Sequence, residues 1–178
     1  LLSGITGASG ITKSGTGTVE FSGTAANTYT GLTTLNAGVL SLNKPAGTNA
    51  IASDVLIIST VVGNVPSLRL SASDQIADSA TVTLSGTVGI AGANFDLNDS
   101  SETIANLVFN NNTGATGLTV TTGLGTLHVT GAISKGGTST GIDSISGNLN
   151  LDGARAFDIT GTTGGLQVSA IARKGGII

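Results

Sequence analysis

The sequence predicts an all-β fold, and the clearest evidence lies between Gly10 and Leu42. Short segments of alternating apolar and polar residues, such as Thr18–Phe21 and Val39–Leu42, are separated there by glycine-containing turns. Alternation with a period of two places Val19 and Phe21 on one face of a strand and their polar neighbours on the other. The turns recur about every eight to twelve residues, which leaves no room for helices between the strands.

The composition agrees with a single β domain that has an aliphatic core. The 178 residues include only four Phe and one Tyr, with no Trp, Met or Cys, so Val, Leu, Ile and Ala must fill the interior. There are 28 Gly but only two Pro, and the mean hydropathy is +0.35, which favours tight corners over disorder. The absence of Cys excludes a disulfide framework and a cysteine-based metal site.

Charged residues make up 10% of the chain, against roughly 25% in ordinary soluble domains, so Thr, Ser, Asn and Gly must cover the surface. The net charge is −3, and the basic residues stand singly except at Arg173 and Lys174. This pattern has no basic stripe, so nucleic acid is not an expected partner. The longest apolar run, Val55–Val62, is too short for a membrane span and predicts a strand buried on both faces.

Further strands are predicted at close spacing along the rest of the chain. They are Leu68–Leu70, Ala80–Leu84, Thr87–Ile90, Phe95–Leu97, Leu107–Asn110, Gly117–Thr121, Gly125–Thr130, Asp143–Ile145, Asn148–Leu151, Ala156–Ile159 and Leu166–Ala170. Only Asp74–Ala80 and Ser100–Leu107 are compatible with a helix. A single turn capped by Ser101 or Asp99, a strand and a loop all remain open for these segments.

The segment Gly10–Leu42 also resembles a known family. Its two parts, GITKSGTGTVEFSG and NTYTGLTTLNAGVLSL, resemble the passenger-associated transport repeat (autotransporter-associated β-strand repeat) of bacterial autotransporters, including the corner Tyr29–Gly31 and the turn Asn36–Gly38. Ser73–Leu84 and Phe95–Leu107 resemble sequence that commonly follows this repeat. The resemblance implies a secreted, right-handed parallel β-helix (β-solenoid). If three strands and their corners occupy roughly 20 residues, the chain holds about eight coils and stands about 40 Å tall.

The two ends of the chain resemble each other. An offset of 166 residues aligns 168–178 with 2–12, and Ser, Ile, Gly and Ile coincide. We therefore hypothesise that residues 1–178 form a single β-helix segment that is one unit of a longer tandem array, although glycine-rich β sequences can also align by chance. The chain begins at Leu1 without a basic segment before an apolar run, so we expect any signal peptide to be removed or to lie elsewhere.

No catalytic, cofactor-binding or metal-binding residue is predicted. The single His128 alternates with apolar neighbours and is interpreted as a solvent-facing strand residue. The carboxylates of Asp74 and Asp78, Asp96 and Asp99, and Asp152 and Asp158 would need aromatic platforms to act on a polysaccharide, and corner capping is the simpler reading. The segment 96–99 lacks the Gly and Glu positions of a calcium-binding EF-hand loop, and 136–141 lacks the ending of a phosphate loop.

The sequence therefore predicts a non-enzymatic structural or adhesive segment of a secreted or surface-anchored bacterial fibre. Its expected partners are copies of itself or neighbouring repeats stacked end to end, and a host surface or extracellular matrix. The alternative is a polysaccharide-binding or polysaccharide-degrading β-helix module.

Overall fold

The computed structural model describes residues 4–87, 92–112, 117–153, 155–160 and 164–173, and these residues contain fifteen strands and no helix. The strands are β1 (Ile11–Lys13), β2 (Thr18–Ser22), β3 (Thr33–Leu35), β4 (Val39–Asn43), β5 (Val55–Ile58), β6 (Ser67–Leu70), β7 (Thr81–Gly86), β8 (Asn94–Asp96), β9 (Glu102–Ile104), β10 (Asn106–Asn111), β11 (Thr119–Val129), β12 (Ile133–Gly136), β13 (Ile142–Asn150), β14 (Phe157–Ile159) and β15 (Gly165–Arg173).

The strands form two parallel sheets, between which the chain alternates as it advances. The first sheet has the order β1-β3-β5-β7-β10-β12-β14. The second has the order β2-β4-β6-β8-β11-β13-β15, and β9 pairs with β11 beside this path. Because every strand pair is parallel and joins one lap of the chain to the next, the fold is a parallel β-solenoid, which confirms the predicted fold class.

The expected count of about eight coils is too high. Six turns separate the seven strands of the first sheet, and each turn takes 22 to 27 residues. The paired positions are Ile11 with Thr33, Thr33 with Val55, Val55 with Val82, Val82 with Leu107, Leu107 with Ile133, and Ile133 with Phe157. Seven strand layers correspond to a height of about 34 Å instead of about 40 Å.

The longer turns arise because the third side of a coil is mostly irregular chain. It is joined to neighbouring coils by single backbone hydrogen bonds, such as Ala50 N to Gln75 O at 2.7 Å and Asp74 N to Ser101 O at 3.0 Å. Asp74 has a φ of 54°, and Ile76 makes an isolated bridge to Ile51, so no helical turn forms at 74–80. The second helix-compatible segment contains β9 and the beginning of β10.

The interior consists of apolar columns that run across the coils. One column of the second sheet contains Leu40, Leu68, Phe95, Val120 and Ile145, and each of these side chains is fully buried. Alternate positions on the same strands face outward, as the period-two pattern predicts. The core is therefore a dry stack in which each coil covers the next one.

The apolar run Val55–Val62 is not a strand buried on both faces, as the sequence had suggested. Strand β5 ends at Ile58, only alternate residues of it are buried, and Val62 is 78% exposed in the turn that follows. The reason is that a solenoid wall has only one inner face. Two pairs of predicted strands also merge into the long strands β11 and β13, while Val88–Ile90 lie outside the described residues.

In the part of the chain that the structure describes, no helix is long and apolar enough to cross a membrane.

Candidate functional site

A group of polar side chains lies inside the solenoid, between β10, β12 and β13. Lys135 Nζ lies 2.8 Å from Asp143 Oδ2, and both side chains are completely buried. The other carboxylate oxygen, Asp143 Oδ1, accepts hydrogen bonds from Asn111 Nδ2 and from Leu118 N, each at 2.8 Å. We call Lys135, Asp143 and Asn111 the interior triad. It places an amine and a carboxamide in hydrogen-bond contact with the same buried carboxylate.

A second buried carboxyl group belongs to Glu102 in β9, which is 1% exposed. Its Oε2 accepts hydrogen bonds from Gln75 N at 2.8 Å and Ile76 N at 3.3 Å, and its Oε1 accepts one from Thr103 N at 3.2 Å. Burial raises the pKa of Glu102 from 4.5 to about 8, because desolvation outweighs these three hydrogen bonds. The group therefore stays protonated at neutral pH.

The pH dependence of stability should reveal this carboxyl group. Above about pH 4.5 the unfolded chain releases the Glu102 proton, whereas the folded chain keeps it up to about pH 8. The stabilisation that this group contributes is therefore complete below pH 4.5 and is lost as the pH rises through about 8. We expect Glu102→Gln to remove this decline. The free energy of unfolding of the variant, relative to that of wild type, should therefore rise by a few kcal/mol between about pH 5 and pH 9. Urea unfolding at several pH values measures it. Glu20→Gln, at an exposed position, is the matched control and should follow wild type; equal slopes for Glu102→Gln and wild type would contradict the prediction.

Two further buried lysines donate hydrogen bonds to backbone oxygens at corners of the first coils. Lys13 Nζ donates to the carbonyl oxygens of Gly15 at 2.6 Å and Ala37 at 2.9 Å. Lys44 Nζ donates to those of Ser22 at 3.0 Å and Ala25 at 2.7 Å. Neither amine contacts a carboxylate in these bonds. Both satisfy backbone oxygens that would otherwise be buried without a donor, and this is a structural role.

Sequence reasoning noted only that the basic residues stand singly along the chain, and it did not predict the burial of these lysines. The signal that could have found two of them is the strand alternation itself. Lys13 follows Ile11 at an interval of two, and Lys135 follows Ile133 in the same way, so both occupy inward positions. The alternation could not have shown which partner each amine meets, because Asp143 comes from a different sheet.

The suspected carboxylates do not gather into one site among the described residues. Asp96 Oδ2 lies 3.6 Å from Arg69 Nε on the outer face of the second sheet. His128 Nε2 lies 2.9 Å from Asp152 Oδ2, and the His128 side chain is 24% exposed. In the described part of the chain, no three His, Cys, Asp or Glu side chains are placed to hold a metal ion.

The two end coils leave inward-facing apolar side chains uncovered. At one end Val19, in the column of Leu40, is 40% exposed. At the other end Phe157, Ile159 and Val168 are 43%, 45% and 39% exposed, although their partners in the preceding coil are buried. Among the described residues, each end coil therefore combines a strand edge with partly exposed apolar side chains.

Comparison with known proteins finds a family match for one segment near the beginning of the chain. A family model described as Passenger-associated-transport-repeat matches residues 11–42. Residues 11–42 are a passenger-associated transport repeat. No curated protein and no solved structure matches the chain. The repeat and the β-solenoid fold fit a segment of an autotransporter passenger, and such passengers are secreted or displayed at the cell surface.

In the structure, the passenger-associated transport repeat extends from β1 into β4, which is more than one turn of the solenoid. Its corner contains Tyr29, which is 1% exposed and hydrogen-bonds through its hydroxyl to Thr33 Oγ1 at 2.6 Å. A Cβ atom at Gly31 would lie 2.1 Å from Gly10 N of the preceding coil. The repeat thus requires glycine at a position where successive coils approach each other closely.

Proposed function

We propose that the chain is a structural segment of a secreted or surface-anchored bacterial fibre, in which it extends and spaces the molecule by stacking end to end with neighbouring repeats or with copies of itself. Its outer walls would present a surface for adhesion to a host surface or extracellular matrix. The passenger-associated transport repeat and the solenoid fold support this role, and so does the resemblance between residues 168–178 and 2–12.

The observation that carries the proposal is the contrast between the middle coils and the end coils. Leu40 and Ile145 are fully buried in the middle of one column, whereas Val19 and Val168 at its two ends are about two-fifths exposed. Another coil would satisfy the strand edge and cover the apolar side chain at the same time. Burial of such surface contributes roughly 25 cal/mol per Å², which favours stacking.

The outer wall is also suited to stacking. Asn94 Nδ2 donates to Ser67 Oγ at 3.2 Å, and Thr119 Oγ1 donates to Asn94 Oδ1 at 3.0 Å, so small polar side chains link three successive coils. Neutral groups at this spacing avoid the repulsion that stacked like charges about 5 Å apart would produce. The outer wall therefore stabilises the contact between successive coils without repulsion between like charges.

The polysaccharide-binding or polysaccharide-degrading alternative has weaker support. Tyr29, Phe95 and Phe109 are fully buried, and among the described aromatic side chains only Phe157, in an end coil, is substantially exposed. The described carboxylates stand apart from one another, as reported above. Neither feature provides the paired carboxylates and aromatic platforms that sugar chemistry requires.

Substitution in an end coil tests the proposed stacking. We expect the wild-type chain to associate with increasing concentration in sedimentation velocity, and to form rods in negative stain with an axial repeat of about 34 Å. Val168→Lys should keep the chain monomeric, because a charge cannot be buried between two coils without a partner. Leu124→Lys, at a position that is 86% exposed, is the matched control and should associate like wild type. A wild-type chain that stays monomeric at millimolar concentration would contradict the proposal.

A further inference from the structure

The interior triad contains one polar side chain more than a buried ion pair needs. Lys135 and Asp143 would form a sufficient pair, yet Asn111 contributes a carboxamide to the same carboxylate. Asn111 is fully buried, and its Oδ1 atom has no hydrogen-bond partner. The Asn111 side chain is therefore held by the hydrogen bond of its nitrogen to Asp143. Burying a carbonyl oxygen without a donor destabilises the fold, so its presence here needs an explanation.

The carboxylate brings the two nitrogen atoms together. Asp143 Oδ2 lies 2.8 Å from Lys135 Nζ, and Asp143 Oδ1 lies 2.8 Å from Asn111 Nδ2. Lys135 and Asn111 also lie on adjacent strands, because Asn110 pairs with Gly136 in the ladder of β10 and β12. Both groups are therefore held against the same carboxylate by the fold, and groups that are oriented in advance react faster than free ones.

We propose that Lys135 and Asn111 become joined by an intramolecular isopeptide bond, with Asp143 as the general base and general acid. Transfer of a proton from Lys135 Nζ to Asp143 Oδ2, which lie 2.8 Å apart, leaves a neutral amine. The amine attacks Cγ of Asn111, and a bond between Nζ and Cγ forms. The bond between Cγ and Nδ2 breaks as Asp143 returns its proton to Nδ2, and the departing ammonia also takes up, through Asp143, the second proton that Nζ loses.

The reaction is balanced and needs no oxidant or cofactor. One amine and one carboxamide give one secondary amide and one ammonia, and the Asp143 carboxylate is regenerated. The product would tie β10 to β12 by a covalent bond across two successive coils. Such a bond prevents these coils from separating when the solenoid is pulled along its axis, which suits a chain that carries mechanical load.

The intact mass of the denatured wild-type chain decides the proposal. We expect a mass lower than the sequence mass by one ammonia molecule, and a trypsin digest in which 70–155 stays uncut after Lys135. Lys135→Arg and Asn111→Leu should both show their full sequence masses, because each lacks one of the two reacting groups. Lys13→Arg is the matched control, since this buried lysine donates hydrogen bonds to the backbone oxygens of Ser14, Gly15 and Ala37, and it should keep the ammonia loss.

Three results would overturn the proposal. A wild-type mass equal to the sequence mass after prolonged incubation shows that no bond forms. A loss of one water molecule assigns the electrophile to Asp143 instead of Asn111. An ammonia loss that persists in Lys135→Arg shows that an asparagine has cyclised with its own backbone. Lys135→Arg and Asn111→Leu lack a reacting group and give their full masses whether or not they fold, whereas circular dichroism must first show that the Lys13→Arg control is folded.

Discussion

Replacing Asp143 with alanine should lower the free energy of unfolding by about 3–5 kcal/mol, because the substitution leaves Lys135 charged and unpaired in a dry interior. The Lys135 side chain is 0% exposed, so water cannot replace the lost carboxylate without opening the coil. Asn111 Nδ2 and Leu118 N lose their acceptor at the same time. The variant also lacks the base that the proposed isopeptide bond requires.

Urea unfolding monitored by circular dichroism measures this loss. Asp78→Ala removes a carboxylate from an exposed position and is the matched control, for which we expect a change within about 0.5 kcal/mol. The double variant Lys135→Met, Asp143→Leu should recover part of the stability, since replacing a buried pair by apolar residues of similar volume is often close to neutral. Equal stability of Asp143→Ala and wild type would show that the pair is not buried as described.

Replacing Phe109 with alanine should lower the free energy of unfolding by about 3–5 kcal/mol. Phe109 is fully buried in a column of the first sheet, between Leu84 in the coil before it and Lys135 in the coil after it. The ladder hydrogen bonds fix the spacing of these coils, so the neighbours cannot move in to fill the space. Both the lost burial and the remaining cavity therefore destabilise the fold.

The matched control for Phe109 is Val62→Ala, at a turn position that is 78% exposed, and its effect should lie within about 0.5 kcal/mol. Chemical denaturation again provides the measurement. A loss below about 1 kcal/mol for Phe109→Ala would mean that the column can collapse around the cavity, which a rigid ladder of coils does not permit.

Much of the architecture could be predicted from the chain alone. The alternation in Val39–Leu42 gives the inward positions Leu40 and Leu42, and both are fully buried. The prediction for Val55–Val62 was wrong because an apolar run does not show whether a wall has one inner face or two. The number of coils was overestimated because the irregular third side leaves no periodic signal in the sequence.

The interior triad could be predicted only in part. The position of Lys135 two residues after Ile133 indicates that it faces inward. Its contact with Asp143, eight residues later in the other sheet, depends on how the corner between β12 and β13 folds. The approach of Asn111 depends on the register between β10 and β12, which no local pattern specifies.

By itself the sequence determined that this chain is all-β, that its core is aliphatic, and that residues 11–42 carry a passenger-associated transport repeat. Those properties follow from local alternation, glycine placement and composition, which each short segment carries alone. Only the tertiary structure decided how many turns the solenoid makes, which lysines are buried, and which side chains meet in the interior triad. Asp143 lies 25 positions from Leu118 and 32 from Asn111, so these contacts exist only after each coil has been placed on the one before it.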